Sequence, residues 1–298
     1  MQALGFGMAA VLGWAVFTLL LRGALEVLPV GLAGFLSRIV TLTVLGGWVF
    51  ATGDRWRRMR PRGKGWWLLL MGGLSIIINL LWFASLRWTP ATNVALLFRL
   101  DLLFVVIIGA ALGLERIGRV QLALLPIMLV GLALVIELDR IDWGGHLAGD
   151  LMVVVAALGF AVNAFVIRHI LQVMDVGAVS LYNHAMSTFG FLGLAFVNSD
   201  FRVLPELAGR PITWFWIVAI GLTAAVGLPL YYAALRRMSV WKLRTLMLSA
   251  PLVVAAVEWG VWGLELSPLQ LLGAAIVLGG LAVLIRVERQ VPADANKR

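Results

Sequence analysis

The sequence predicts an all-α integral membrane protein, with ten transmembrane helices in two inverted five-helix repeats and both termini cytoplasmic. Three observations carry this. Of 298 residues, 62% are hydrophobic and only 13% charged, more apolar surface than a water-soluble domain of this size can bury. The apolar residues fall in runs of about 20, the length that crosses a bilayer as a helix. The second half of the chain also repeats the first.

The runs cover residues 4–21, 31–50, 66–86, 91–114, 120–136, 149–167, 177–197, 212–235, 240–264 and 268–285. Each should be a helix, because a lone strand in lipid leaves its backbone polar groups unsatisfied and these runs lack the alternation of a barrel. The first has no basic segment ahead of it and no clear small-residue cleavage site. It reads as a retained span, not a leader. Arg55, Arg57, Arg58, Arg60, Arg62 and Lys64 crowd the break after the second span. Arg116 and Arg119 follow the fourth, Arg168 the sixth, and Arg236 and Arg237 the eighth. The alternate breaks hold acids: Glu26, Glu137, Asp139, Asp142, Asp200 and Glu206. The positive-inside effect then sets both termini in the cytoplasm. It also accounts for the net charge of +9 without nucleic acid. Trp48, Trp56, Trp66, Trp67 and Trp241 fall at the inner interface, and Trp88, Trp143, Trp214 and Trp216 near the outer one, as two aromatic belts.

The repeat is collinear. Ala10-Val11-Leu12-Gly13-Trp14-Ala15-Val16 answers Ala156-Ala157-Leu158-Gly159-Phe160-Ala161-Val162, and Arg22 answers Arg168. Leu81-Trp82-Phe83-Ala84-Ser85-Leu86-Arg87 answers Leu230-Tyr231-Tyr232-Ala233-Ala234-Leu235-Arg236. Gly113-Leu114-Glu115 answers Gly263-Leu264-Glu265, and Gly131-Leu132-Ala133 answers Gly280-Leu281-Ala282. Each unit holds about five spans. An odd number obliges the two units to cross in opposite senses, an architecture of alternating-access carriers with the site near the midplane.

Further residues carry a family resemblance: Ser37-Arg38 early in the second span, Thr89-Pro90-Ala91-Thr92-Asn93 entering the fourth, Ser249-Ala250-Pro251 in the ninth, and the two Gly-Leu-Glu span ends. With the repeat, they make the chain resemble the EamA-type branch of the drug/metabolite transporter superfamily. The resemblance implies one five-helix repeat over 1–137, a second over 147–287 and a polar cytoplasmic tail over 288–298. It also implies a cavity among the first, third, fourth, sixth, eighth and ninth helices. One departure stands out. Asp101 occupies the counterpart of Pro251, where the resemblance leads one to expect proline, so the fourth helix is expected to differ in shape.

Each charge at the centre of a membrane helix costs about 2.5–3.5 kcal/mol on insertion scales. Arg38, Arg99, Asp101 and Glu258 are such charges, and His184 is titratable. Arg99 is suited to grip a carboxylate or phosphate of a substrate; the alternative is a structural pair with an acid. Asp101 lies about 200° round the helix from it. It is either a fixed partner for Arg38 or Arg99 or a group that exchanges a proton. Glu258 suits a structural or interfacial role. The resemblance matches Arg38 to the family's second-helix arginine. His184 takes its place in the second copy, as a charge switch or a hydrogen-bonded structural histidine.

Small or polar residues recur at helical spacing: Gly7, Trp14 and Thr18; Ser75, Asn79 and Trp82; Gly159 and Asn163; Thr223, Gly227 and Tyr231. Such stripes serve tight helix packing or line a polar cavity with aromatic walls. Trp14, far from both interfaces, needs a partner for its indole N–H and favours the cavity. The candidate substrate-binding set is therefore Arg99, Asn79, Trp82, Trp14, Asn163 and Tyr231. Asp101, Arg38, His184 and Glu258 are coupling or charge-pairing candidates. Gly109 and Gly113 have the GxxxG spacing of a close helix contact.

No Walker A loop, HExxH or Ser/His/Asp arrangement is present, and there is no cysteine. Neither enzymatic activity, a metal nor a cofactor is expected. The expected function is a secondary transporter of small organic metabolites, working by alternating access with protons as a candidate coupling ion. Export, amino acids or related amphipathic compounds as cargo, and a place in the bacterial cytoplasmic (inner) membrane come from the resemblance. The expected partners are the bilayer and a small-molecule substrate, with no nucleic acid, and an oligomer is compatible with the sequence. The alternatives are a passive channel or facilitator and a non-transporting membrane assembly subunit.

Overall fold

A computed structural model of the chain describes residues 2–51, 59–85, 88–89, 93–94, 97–115, 117–135, 145–263 and 267–290. Its helices are α1 (Gln2–Leu25), α2 (Val30–Ala51), α3 (Gly65–Ser85), α4 (Leu100–Ala111), α5 (Arg119–Val135), α6 (Leu147–Leu171), α7 (Val176–Val197), α8 (Pro211–Arg237), α9 (Val240–Met247), α10 (Ala250–Trp262) and α11 (Pro268–Gln290). A 3-10 turn, Asp200–Val203, and a one-turn helix, Leu204–Ala208, join α7 to α8. There is no strand among the described residues.

Among the described residues, seven segments are long and apolar enough to cross a membrane: α1, α2, α3, α6, α8, α11, and α9 with α10 taken together. α4 and α5 are apolar but shorter. α7 is long but carries Tyr182, Asn183, His184, Ser187 and Thr188. Large apolar side chains such as Leu12, Ile77, Ile107, Leu151 and Leu278 lie exposed on the outer faces, surface that calls for lipid as its solvent. This is a multi-pass membrane protein.

The helices pack in a pattern that survives exchange of the two halves. α1 packs on α8 as α6 packs on α3, and α2 packs on α8 as α7 packs on α3. α4 lies on α6 as α9 and α10 lie on α1, while α2–α7 and α5–α11 pair across the halves. The sequence repeat is thus a repeat of packing.

The fourth and ninth spans differ from the continuous helices expected. Among the described residues, both are broken at corresponding positions. Phe98 and Arg99 form a turn before α4 starts at Leu100, and Leu248 and Ser249 form a turn before α10 starts at Ala250. The bonds after the break match as well: Leu102 N–H donates to Arg99 O (3.2 Å) and Leu252 N–H to Ser249 O (3.1 Å). The expectation that Asp101 gives the fourth span another shape is therefore corrected. Asp101 lies in the first turn of α4, where a negative side chain suits the positive end of the helix. Pro251 lies in the first turn of α10, where its missing N–H costs nothing. Both residues suit a helix start.

The far ends of these helices match too. Gly113 (φ 62°) and Gly263 (φ 66°) adopt the left-handed conformation, which glycine reaches without strain. Gly113 therefore ends a helix, and its spacing from Gly109 is not a continuous helix-packing face. Trp241, expected in the inner belt, is 1% exposed and packed inside the protein. Trp48, Trp66, Trp88 and Trp214 are exposed.

Candidate functional site

The two breaks lie side by side in the core, because α9 packs on α4 and both broken spans reach α6. There Arg244 of α9 forms an ion pair with Asp101 of α4 at 3.1 Å, both side chains only 6% exposed. Arg244 also stacks over Phe160 at 4.1 Å and lies 5.4 Å from the ring of Tyr231. Around the pair is a narrow void of about 20 Å³, lined in part by Trp14, Phe98, Arg99, Tyr231 and Met247. That is room for about one water-sized group. The buried Nε atoms of Arg99 and Arg244 and the hydroxyl of Tyr231 have no hydrogen-bond partner.

Arg99 and Trp14 also line a second, larger chamber of about 240 Å³. This one follows the face of α10 made by Ala250, Pro251, Val254, Ala255 and Glu258, a run of about 12 Å at helical rise. Thr18, Val135 and Gln270 close its sides. Gln270 is held by its helix start: its side chain accepts from Ser267 N–H (2.9 Å) and its N–H donates to Ser267 Oγ (3.2 Å). At the far end Glu258 pairs with Arg22 at 2.5 Å.

A second buried acid lies at the start of α9. Glu115 is fully buried and takes Arg168 at 2.6 Å. It also accepts the N–H groups of Val240 (2.5 Å) and Trp241 (2.8 Å). One carboxylate thereby neutralises a cation and caps the start of α9, whose own N-cap, Ser239, makes no side-chain cap bond.

The EamA-like transporter family matches this chain twice, over residues 1–137 and 147–286. The chain belongs to the EamA-like transporter family. An uncharacterized transporter of Synechocystis sp. (sll1164) is 25% identical over 229 residues, 73% of this chain and 64% of its own length. An uncharacterized transporter of Archaeoglobus fulgidus is 24% identical over 205 residues, 68% of this chain and 70% of its own. A solved crystal structure shares the fold, with a TM-score of 0.78 at 19% identity over 97% of this chain and 99% of the other.

Of the residues singled out in this EamA-like sequence, the structure brings Arg99, Trp14, Tyr231 and Asp101 to one place. Asp101 pairs with Arg244, a cation outside the two weighed for a fixed pair, Arg38 and Arg99. Asn79, Trp82 and Asn163 line neither chamber. Asn79 Nδ2 donates to Ser75 O (2.6 Å) and Asn163 Nδ2 to Ser75 Oγ (3.0 Å), which ties α3 to α6. Trp82 stacks on Phe98, 6.1 Å between centroids, one shell behind the void. Arg38 Nε donates to Ser187 Oγ (3.3 Å) and lies over Phe191, between α2 and α7. His184 is buried on α7, one turn from Ser187 and Thr188, which both donate to its carbonyl. Glu258 lines the larger chamber.

Sequence reasoning missed Arg244, Phe160, Arg22 as a partner, and the capping role of Glu115. Arg244 stands five residues inside the predicted ninth span and seven before Pro251. A count of cations near that proline would have found it. The stacking of Arg244 on Phe160 and the bonds of Glu115 to backbone N–H left no trace in the residue pattern.

Proposed function

We propose that the chain is a secondary carrier for small organic metabolites, working by alternating access between two inverted five-helix units. In this reading both termini lie in the cytoplasm and the spans number ten, with α9 and α10 as one broken span and α4 completing another. The larger chamber, bounded at one end by Arg99 and at the other by the Arg22–Glu258 pair, carries the reading. It is a substrate-sized space whose outer end is held by a largely exposed ion pair, beside two spans broken at matching positions. Broken helices meeting at a repeat interface are the usual build of a carrier's site.

In this reading, which takes its orientation from the loop charges, the Glu258 end faces outward, the Glu115 end faces the cytoplasm, and the conformation is an outward-facing one. Release to the other side requires the Glu115–Arg168 tie to open and the larger chamber to close toward its Arg22–Glu258 end. Asp101 is the group that would carry a coupled proton. Asp101→Asn should then abolish substrate-driven proton movement, read with a pH dye in vesicles; unchanged proton movement rejects that role.

The absence of cysteine gives a direct test of the states. Single cysteines at Ala255 and Met247 are labelled with a membrane-impermeant maleimide in oriented vesicles. Ala255→Cys should react from the outer side and lose that reactivity when a transported substrate is added inside. Reactivity of both positions from both sides at once would mark a channel instead.

A further inference from the structure

We propose that the narrow end of the cavity is a docking site for a single anionic group, and that the transported molecule enters it carboxylate first. The inference rests on the carrier reading above and names its substrate class: small organic monocarboxylates with an apolar body.

The unpartnered atoms decide the polarity of the guest. Arg99 Nε–H, Arg244 Nε–H and the Tyr231 hydroxyl are buried at this end and bond to nothing. All three can donate, and the two arginine groups can only donate. Buried donors are costly to leave unmatched, so the site calls for an acceptor. The charges decide its sign. Arg99 and Arg244 face one carboxylate, Asp101, and Asp101 is already engaged by Arg244. One positive charge is left over at Arg99. α4 adds to it, since its first turn, with the positive end of its dipole, begins at Leu100 beside the void.

Size decides the chemical group. A volume of about 20 Å³ accepts one small atom group, since a water needs about 10–15 Å³. A carboxylate places one oxygen there and offers the other to Arg99. A phosphate, with four oxygens in a tetrahedron, does not fit. The rest of the molecule extends into the adjoining 240 Å³ along Pro251, Val254 and Ala255, against Trp14. Those walls are apolar. The remaining charge of that chamber, Glu258, is held by Arg22, so the far end exerts no call for a second charged group.

The test is equilibrium binding and thermal stabilisation of the full chain in lipid nanodiscs. The probes are straight monocarboxylates from propionate upward, 3-phenylpropionate, its methyl ester and amide, phenethylamine, sodium chloride and inorganic phosphate. Carboxylates should stabilise the protein and bind about tenfold or more tighter than the matching ester and amide, because a site built to pair a group rejects its analogue strongly. Phosphate should not compete. Arg99→Gln should weaken carboxylate binding at least about tenfold. Tyr231→Phe should weaken it about threefold to tenfold, with an unchanged unfolding temperature without ligand. That variant decides the matter if Arg99→Gln does not fold. Equal binding of acid and amide, stronger binding of phenethylamine, or protection by chloride that carboxylates do not compete for would each overturn the proposal. Carboxylate binding without saturable counterflow would sink the carrier reading and leave the docking site standing. Counterflow of an amine with no carboxylate binding would do the reverse.

Discussion

Span four restarts at Leu100 and span nine at Ala250, yet the first turn after the break holds Asp101 in one and Pro251 in the other. The helix start itself asks only for a residue that a first turn favours, and both qualify. The side chain is therefore free to differ. In α10 it gives an apolar wall to the larger chamber; in α4 it gives the carboxylate that holds Arg244. The repeat sets the backbone and one substitution sets the chemistry. The two ends of the cavity diverge in the same way. Arg168 and Arg22 are repeat counterparts. Arg168 meets a fully buried Glu115 that also caps a helix. Arg22 is 70% exposed and pairs with Glu258.

The largest effect should come from breaking the chemical side of the first comparison. Asp101→Ala leaves Arg244 a buried, uncompensated cation, and removing one partner of such a pair typically costs about 3–5 kcal/mol. Unfolding in mixed micelles should show it, and a loss below about 1 kcal/mol would mean that the pair is dispensable. Glu115→Ala comes next. It removes the cap of α9 (about 0.5–2 kcal/mol) and a partner of the half-buried Arg168, for a total of about 2–4 kcal/mol by the same assay.

The backbone side of the comparison is sharpened by Asp101→Pro. If position 101 is a helix start, proline there should cost only about 0.5–1.5 kcal/mol more than alanine, the loss of the Asp101 N–H bond to Phe98 O (3.2 Å). Proline inside an unbroken helix would add about 3 kcal/mol or more. The smallest effect belongs to Glu258→Gln: an exposed pair contributes about 0–1 kcal/mol, so stability should hardly move.

Much of the fold could be read from the chain because lipid imposes simple rules: apolar length marks a helix, and self-similarity marks a repeated unit. The breaks were harder. Leu248-Ser249 and Phe98-Arg99 carry no glycine pair or proline between them. Arg99, Trp14, Tyr231 and Asp101 were legible because a charge or an indole deep in a span demands a polar partner. Asn79 and Asn163 satisfied the same rule and yet serve packing, since Ser75 lies within reach of both. Sequence spacing places a residue on a helix face, but it does not say which neighbour that face meets. Arg244 was overlooked because it stands close to the start of its span, where cations are ordinary; only the fold carries it to Asp101.

The most direct test of the carrier account is counterflow in proteoliposomes, using a labelled monocarboxylate found by the binding screen. A saturable carrier that alternates between two faces should take up label faster when the vesicles are preloaded with the unlabelled compound, and Arg99→Gln should lose that acceleration. Uptake that rises linearly with concentration and ignores the preload would contradict it.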